Sequence, residues 1–160
     1  MWKNLLSAFL ALSLLTACSK TDENANANAG GSGGGSTSGT ATPGTQEDLV
    51  QNVGDRVFFE LGSSTLTSDG RGTLDKQATW LAQYPQNRVQ VAGNCDERGT
   101  TEYNLALGQR RASIARDYLV AKGVNSGRLS VISYGKDRPT ALGSDDQAWS
   151  QNRNATTSVK

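Results

Sequence analysis

The residue types best suited to chemistry are gathered in one stretch. It runs Gly93-Asn94-Cys95-Asp96-Glu97-Arg98-Gly99-Thr100-Thr101-Glu102-Tyr103-Asn104 and continues through Leu107-Gly108-Gln109-Arg110-Arg111-Ala112. Asp96 can accept from an ammonium group, and Arg98 or Arg111 can grip a carboxylate through the planar guanidinium fork. A loop and helix carrying both signs suit the zwitterionic end of an amino acid. The same residues also fit a purely internal arrangement, an Asp96–Arg111 or Asp96–Arg98 ion pair that fixes the loop. Glu97 and Glu102 are expected to face solvent or to cap the following helix.

The elements that must position these groups read as strand, loop and helix. Val89 and Val91 alternate in a strand, and Tyr103 to Lys122 forms the longest helix, with Leu107, Ile114, Ala115, Tyr118 and Leu119 as its apolar stripe. Asn104, Leu107, Gly108 and Arg111 share one helical face. Gly108 leaves a gap there, open either to a ligand or to close contact with a neighbouring strand. Arg111 lies about three turns along the helix, so a straight exit from the loop would leave it roughly 15 Å from Asp96. Gly93 and Gly99 are expected to permit the bend that brings the two together.

Composition narrows the classes of function. The chain has 160 residues, 36% hydrophobic and 19% charged, with a formal net charge of +1. Near-neutrality gives no electrostatic case for nucleic acid. There is no histidine, which removes Ser-His and Cys-His catalysis and the commonest metal ligand. Cys18 and Cys95 cannot alone make a four-thiolate site. No cofactor is expected.

Residues 1–17 read as a secretory leader. Lys3 is its only charge, and Leu5 to Leu15 is apolar but shorter than the roughly 20 residues that span a bilayer. Leu15-Thr16-Ala17-Cys18 resembles the bacterial lipoprotein signal, which implies lipid on Cys18 and stable attachment without a transmembrane helix. Lys20 stands where Asp would imply inner-membrane retention, so the resemblance favours the outer membrane, on its periplasmic face. Removing Lys3 with the leader leaves 15 basic against 15 acidic side chains. Residues 18–45 then read as the lipidated cysteine and a flexible linker of Gly, Ser, Asn and Ala with no apolar period. Its stretched reach is roughly 90 Å.

Residues 46–160 carry the domain. Asp48, Leu49, Val50 and Val53 open a short helix or turn, and Arg56 to Leu61 reads as a strand. Thr67 or Ser68 caps a helix holding Leu74, Ala78 and Leu81, which Pro85 stops. Gly123 ends the long helix, and Leu129 to Tyr134 is a third strand. Ser144-Asp145-Asp146-Gln147 has the form of a capping box before a short helix. Ala155 to Val159 is a doubtful last strand, weakly apolar because of Thr156, Thr157 and Ser158. The order βαβαβ implies an α/β (α+β) sandwich, a mixed sheet with helices packed on it.

Several runs together resemble the peptidoglycan-associated lipoproteins, with their outer-membrane-protein-A-like C-terminal domain. They are Cys95 to Thr100, Glu102-Tyr103-Asn104, Ala106 to Ala112, Phe58-Phe59, Ser133 to Pro139 and Ala148 to Arg153, within about residues 53–155. The resemblance implies binding rather than catalysis: a non-covalent hold on the peptidoglycan stem peptide through meso-diaminopimelate, and partnership with TolB and other Tol proteins. By position, Asp96 and Arg111 grip the amino-acid end of that residue, Asn104 and Leu107 line the same pocket, Phe59 and Glu60 lie beside it, and Arg153 supports it. Arg98 is a further candidate.

Three places depart from the family pattern. Asn94-Cys95 replaces His-Thr, Phe59-Glu60-Leu61-Gly62 replaces Phe-Asp-Phe-Asp, and Asn152-Arg153-Asn154 replaces Asn-Arg-Arg. A wall-degrading glycosidase would need two carboxylates about 5–10 Å apart, for which Glu60 with Asp96 is the pair to consider. A module devoted mainly to Tol partners is the other alternative.

Overall fold

The computed structural model describes residues 41–160; the leader, Cys18 and the linker as far as residue 40 lie outside the described residues. Thr45 caps a three-residue helix, α1 (Gln46–Asp48), which runs on as a single π turn, Leu49–Val53. Asp48 accepts from Trp80 Nε1 and from Gly44 N, both at 2.8 Å, while Gly44 O accepts from Asn87 Nδ2 at 2.8 Å. The chain is therefore already fixed where it enters the domain.

The remaining elements are β1 (Arg56–Phe58), α2 (Ser68–Gln83), β2 (Val89–Asn94), α3 (Thr101–Ala121), β3 (Leu129–Gly135), α4 (Asp146–Asn152) and β4 (Asn154–Val159), with a 3-10 turn at Ser126–Arg128. Local chemistry sets their ends. Thr67 accepts from Gly70 N at the start of α2, and Thr100 from Tyr103 N at the start of α3. Gly123, with φ of 96°, follows α3 in the left-handed region that favours glycine. The cap of α4 is Asp145, which accepts from Ala148 N at 2.7 Å, one residue later than the Ser144 capping box expected. β1 is shorter than the expected Arg56–Leu61 strand. Phe59 N bonds Arg153 O, and the chain then turns, with Ser63 N on Glu60 O and Gly62 at φ 65°.

The sheet order is β1-β4-β2-β3. β4 is antiparallel to both β1 and β2, and β2 is parallel to β3. β1, β2 and β3 therefore point the same way, and their carboxyl ends meet at one rim with the start of β4. The opposite rim holds the start of β2, the end of β4 and the entering chain: Val89 pairs with Val159, whose N–H donates to Gln46 Oε1.

Helices α2 and α3 cover one face. Leu74, Ala78 and Leu81 from α2 and Ala112, Ala115 and Leu119 from α3 pack on Val57, Val89, Val91 and Ala155 of the sheet. Each large aliphatic side chain buried this way contributes about 1.5–3 kcal/mol. The weakly apolar last strand is an interior strand of the sheet. Thr157 faces the helices, buried, because its hydroxyl meets Gln77 Oε1 at 2.9 Å and Gln77 Nε2 donates to Gly54 O at 2.7 Å. A satisfied polar chain does there what an apolar residue would otherwise do. No helix among the described residues is long and apolar enough to cross a membrane.

Candidate functional site

The carboxyl rim carries the loops after β1, β2 and β3. Ligands of open α/β sheets sit at such rims, and the residues singled out above converge there. A cleft of about 180 Å³ is lined by Asp96, Arg98, Asn104, Leu107, Arg111 and Arg153, with Leu61, Gly62, Cys95 and Tyr103. Phe59 and Glu60 line an adjacent cleft of about 360 Å³ along the free edge of β1, which Arg153 shares.

Arg111 is fully buried. Its Nε donates to Ser63 O at 2.8 Å, Nη1 to Asn94 O at 2.8 Å and to Cys95 Sγ at 3.4 Å, and Nη2 to Glu60 O at 3.1 Å. Its guanidinium lies 5.1 Å from the Phe59 ring centroid. Four of the five N–H donors a guanidinium carries are thus used, and one Nη2 proton is left. Burial lowers the Arg111 pKa, opposed by the nearby Cys95 and Asp96. Among the described residues, no carboxylate pairs with this cation.

Asp96 is buried and fully engaged. Oδ1 accepts from Arg98 N and Nε, both at 3.2 Å; Oδ2 accepts from Arg98 Nη2 at 2.7 Å and Arg153 Nη1 at 3.5 Å. Burial alone would raise its pKa, but the donors from Arg98 and Arg153 outweigh it and hold the carboxyl below its usual range. The internal pair left open by the sequence is therefore Asp96–Arg98. Asp96 and Arg111 share the cleft without an ion pair between them.

Gly108 follows the second of its two expected uses, close contact with a neighbouring strand, and Gly93 differs from expectation. Gly108 is not open to a ligand: a methyl there would collide with Ser133 Oγ and lie 2.8 Å from Gly93 O. Gly93 is not a bend residue either. It lacks a positive φ, and a methyl on it would fall onto the Gly108 carbonyl. Together they let α3 touch β2 backbone to backbone. Gly99, with φ of 90°, does turn the loop. Arg111 approaches the cleft because α3 runs back over β2 and its side chain points toward the helix N-terminus.

Asn104 braces the loop, its Nδ2 donating to Arg98 O at 2.8 Å and Thr100 O at 3.1 Å. Glu60 meets Arg111 through its carbonyl, and its side chain is exposed. Arg153 Nε holds Phe59 O at 3.0 Å. Cys95 is buried, and desolvation raises its thiol pKa, with Asp96 adding to this and Arg111 opposing it. Two departures from the family pattern touch: Asn94 Nδ2 donates to Asn154 Oδ1 at 2.8 Å.

The sequence alone gave Trp149 no role. Its ring lies 4.1 Å from the Arg98 guanidinium and its Nε1 donates to Glu97 Oε1 at 3.0 Å. Only the Glu97 and Arg98 side chains in a neighbouring loop reveal it. A third cleft of about 200 Å³ lies across the Cys95–Glu97 segment, lined by Glu97, Lys136, Leu142 and Asn152 among others.

These features define a class: an open mixed sheet, backed by two helices, that presents a small polar cleft of both charges at its carboxyl rim. The OmpA family profile matches residues 58–153. The peptidoglycan-associated lipoprotein of Rhizobium meliloti is 54% identical over 120 residues, 75% of this chain and 68% of the relative. That of Mesorhizobium japonicum is 49% identical over 154 residues, 95% and 89%. The crystal structure of the peptidoglycan-associated lipoprotein from Burkholderia pseudomallei superposes with a TM-score of 0.64 at 40% identity, covering 66% of this chain and 90% of that one. The C-terminal domain of Helicobacter pylori MotB, 23% identical with a TM-score of 0.61, shares the fold. The chain belongs to the OmpA family, among the peptidoglycan-associated lipoproteins.

Proposed function

We propose that this domain binds peptidoglycan non-covalently by holding the free amino-acid end of meso-diaminopimelate, and that lipid on Cys18 fixes it to the periplasmic face of the outer membrane. The observation that carries this reading is Arg111. A buried cation is costly unless paired or fully hydrogen-bonded, and here carbonyls supply most of the bonds while no side-chain carboxylate among the described residues does. One Nη2 proton remains for a ligand carboxylate, and Asp96 in the same cleft accepts the ligand ammonium. Catalysis fits less well: the guanidiniums hold Asp96 ionised, so it is a poor general acid, and Glu60 lines the adjacent cleft.

The test is co-sedimentation with isolated peptidoglycan, with free meso-diaminopimelate as competitor. Asp96→Ala should weaken binding by about 2–5 kcal/mol, and the competitor should release the parent. Parent-like binding by the Asp96 variant would remove the site assignment.

A protein partner over the same rim has its own support. Leu61 is 63% exposed and Leu142 90%, at the edges of two of the clefts. Exposed apolar side chains beside a polar cleft suit a docking protein, and the family implies TolB and the Tol system. On this reading wall fragments and TolB compete, which a binding assay with both present measures.

A further inference from the structure

Asp96 is saturated as it stands. An ionised carboxylate offers about four acceptor positions, and Arg98 N, Nε and Nη2 with Arg153 Nη1 fill them. An incoming ammonium must therefore replace a donor. The Arg98 N–H is fixed in the loop. The Arg153 side chain is 15% exposed and tied to Phe59 O. The Arg98 side chain is 36% exposed, and among the described residues it is held, besides Asp96, only by the face of Trp149. Trp149 is itself fixed by its bond to Glu97, and Glu97 and Asp146 act on Arg98 as further negative charges that favour its cation.

We propose that Arg98 is an exchangeable cation. It occupies the place of the ligand ammonium on Asp96 and gives it up by sliding on Trp149 toward Glu97 and Asp146, so the site admits only ligands with a cation to trade. Trp149 is then a positioning residue. It lowers the cost of releasing Arg98, because cation–π stacking continues after the ion pair is broken. The exchange swaps one positive charge for another, so the cleft keeps its net charge. It selects stem peptides whose diaminopimelate amine is free over those in which it is acylated. This rests on the reading of the site given above.

The experiment is calorimetric titration of the full-length protein with the tripeptide L-Ala-γ-D-Glu-meso-diaminopimelate, and with the same tripeptide acetylated on the free diaminopimelate amine. The parent should bind the free amine and discriminate against the acetylated form. Arg98→Gln and Arg98→Ala should bind the free amine about five-fold tighter, the worth of a partly exposed ion pair. Trp149→Leu should weaken binding in the parent but not in the Arg98→Gln background. Equal or weaker binding by both Arg98 variants overturns the exchange, as does a Trp149→Leu loss that persists without Arg98. A parent that binds and loses binding on Asp96→Asn, with Arg98 variants no tighter, sinks the exchange alone. A parent that binds neither tripeptide sinks the exchange together with the function it rests on.

Discussion

A guanidinium withdrawn from water costs several kcal/mol unless its donors are met, and Arg111 meets most of them with carbonyls from one loop and one strand end. Ser63 and Glu60 follow β1, and Asn94 ends β2. Arg111 is therefore a brace between the loop after β1 and the end of β2, besides the ligand contact proposed for it. Arg111→Lys keeps the charge but replaces a fork by a point, so at least one of the three carbonyls loses its donor. The expected loss is about 2 kcal/mol or more, read as a lower urea midpoint, alongside weaker wall binding. Acid sensitivity follows from Asp96. Its folded pKa is depressed, so its contribution to stability is complete above the unfolded carboxylate value of about 3.9 and is lost as pH falls through the folded value. Asp48, lowered mainly by the Trp80 hydrogen bond, and Asp75, lowered mainly by Lys122, act in the same direction. With no histidine in the chain, stability and stem-peptide affinity should be flat between about pH 5 and 8; stability should fall first, from about pH 4, and affinity at lower pH, as Asp96 protonates at its depressed folded value. Thermal melts and binding across that range check this.

At the scale of elements, the contact of α3 with β2 positions everything else, and two glycines make it. Gly108→Ala puts a methyl against Ser133 Oγ and Gly93 O, so the helix must shift outward; the expected cost is about 1–3 kcal/mol, with the Arg111 bonds weakened. Gly72 in α2 is a control with the opposite sign. A methyl there meets nothing within 4 Å, so Gly72→Ala should add up to about 1 kcal/mol. Chemical denaturation of both variants decides the signs. The helix face was readable from sequence because Asn104, Leu107, Gly108 and Arg111 obey its period, and all four are buried as that face requires. Which of its two uses Gly108 serves was not readable, because the answer lies on Gly93 of another element. The place of β4 inside the sheet was hidden for a related reason. Thr157 looks too polar for an interior strand until Gln77, distant in sequence, supplies its partner. Trp149 stayed silent because neither Arg98 nor Glu97 is near it along the chain. Periodicity exposes contacts within an element, while polar pairs between elements leave no period to read.

The whole molecule has two ends with different tasks. The clefts open at the carboxyl rim, while Gly44 and Gln46 bring the chain in at the other, held by Asn87 and Val159. The described chain thus enters the domain at the rim opposite the clefts. On the proposed function, the linker then governs reach and not affinity. Deleting residues 21–40 would leave the contacts of the domain unchanged, so stem-peptide binding in solution should match the parent. The anchored protein would have only seven residues between Cys18 and α1, a span of roughly 25 Å in place of roughly 90 Å. It should therefore be recovered with the wall from cross-linked cells far less than the parent, while remaining in the membrane fraction at equal amount. A Cys18→Ser variant separates reach from anchoring, since it should keep solution binding and leave the membrane fraction. Equal wall recovery for the shortened and parent chains would mean that the wall lies within the shorter reach, and that the length of the linker serves something other than spanning the gap.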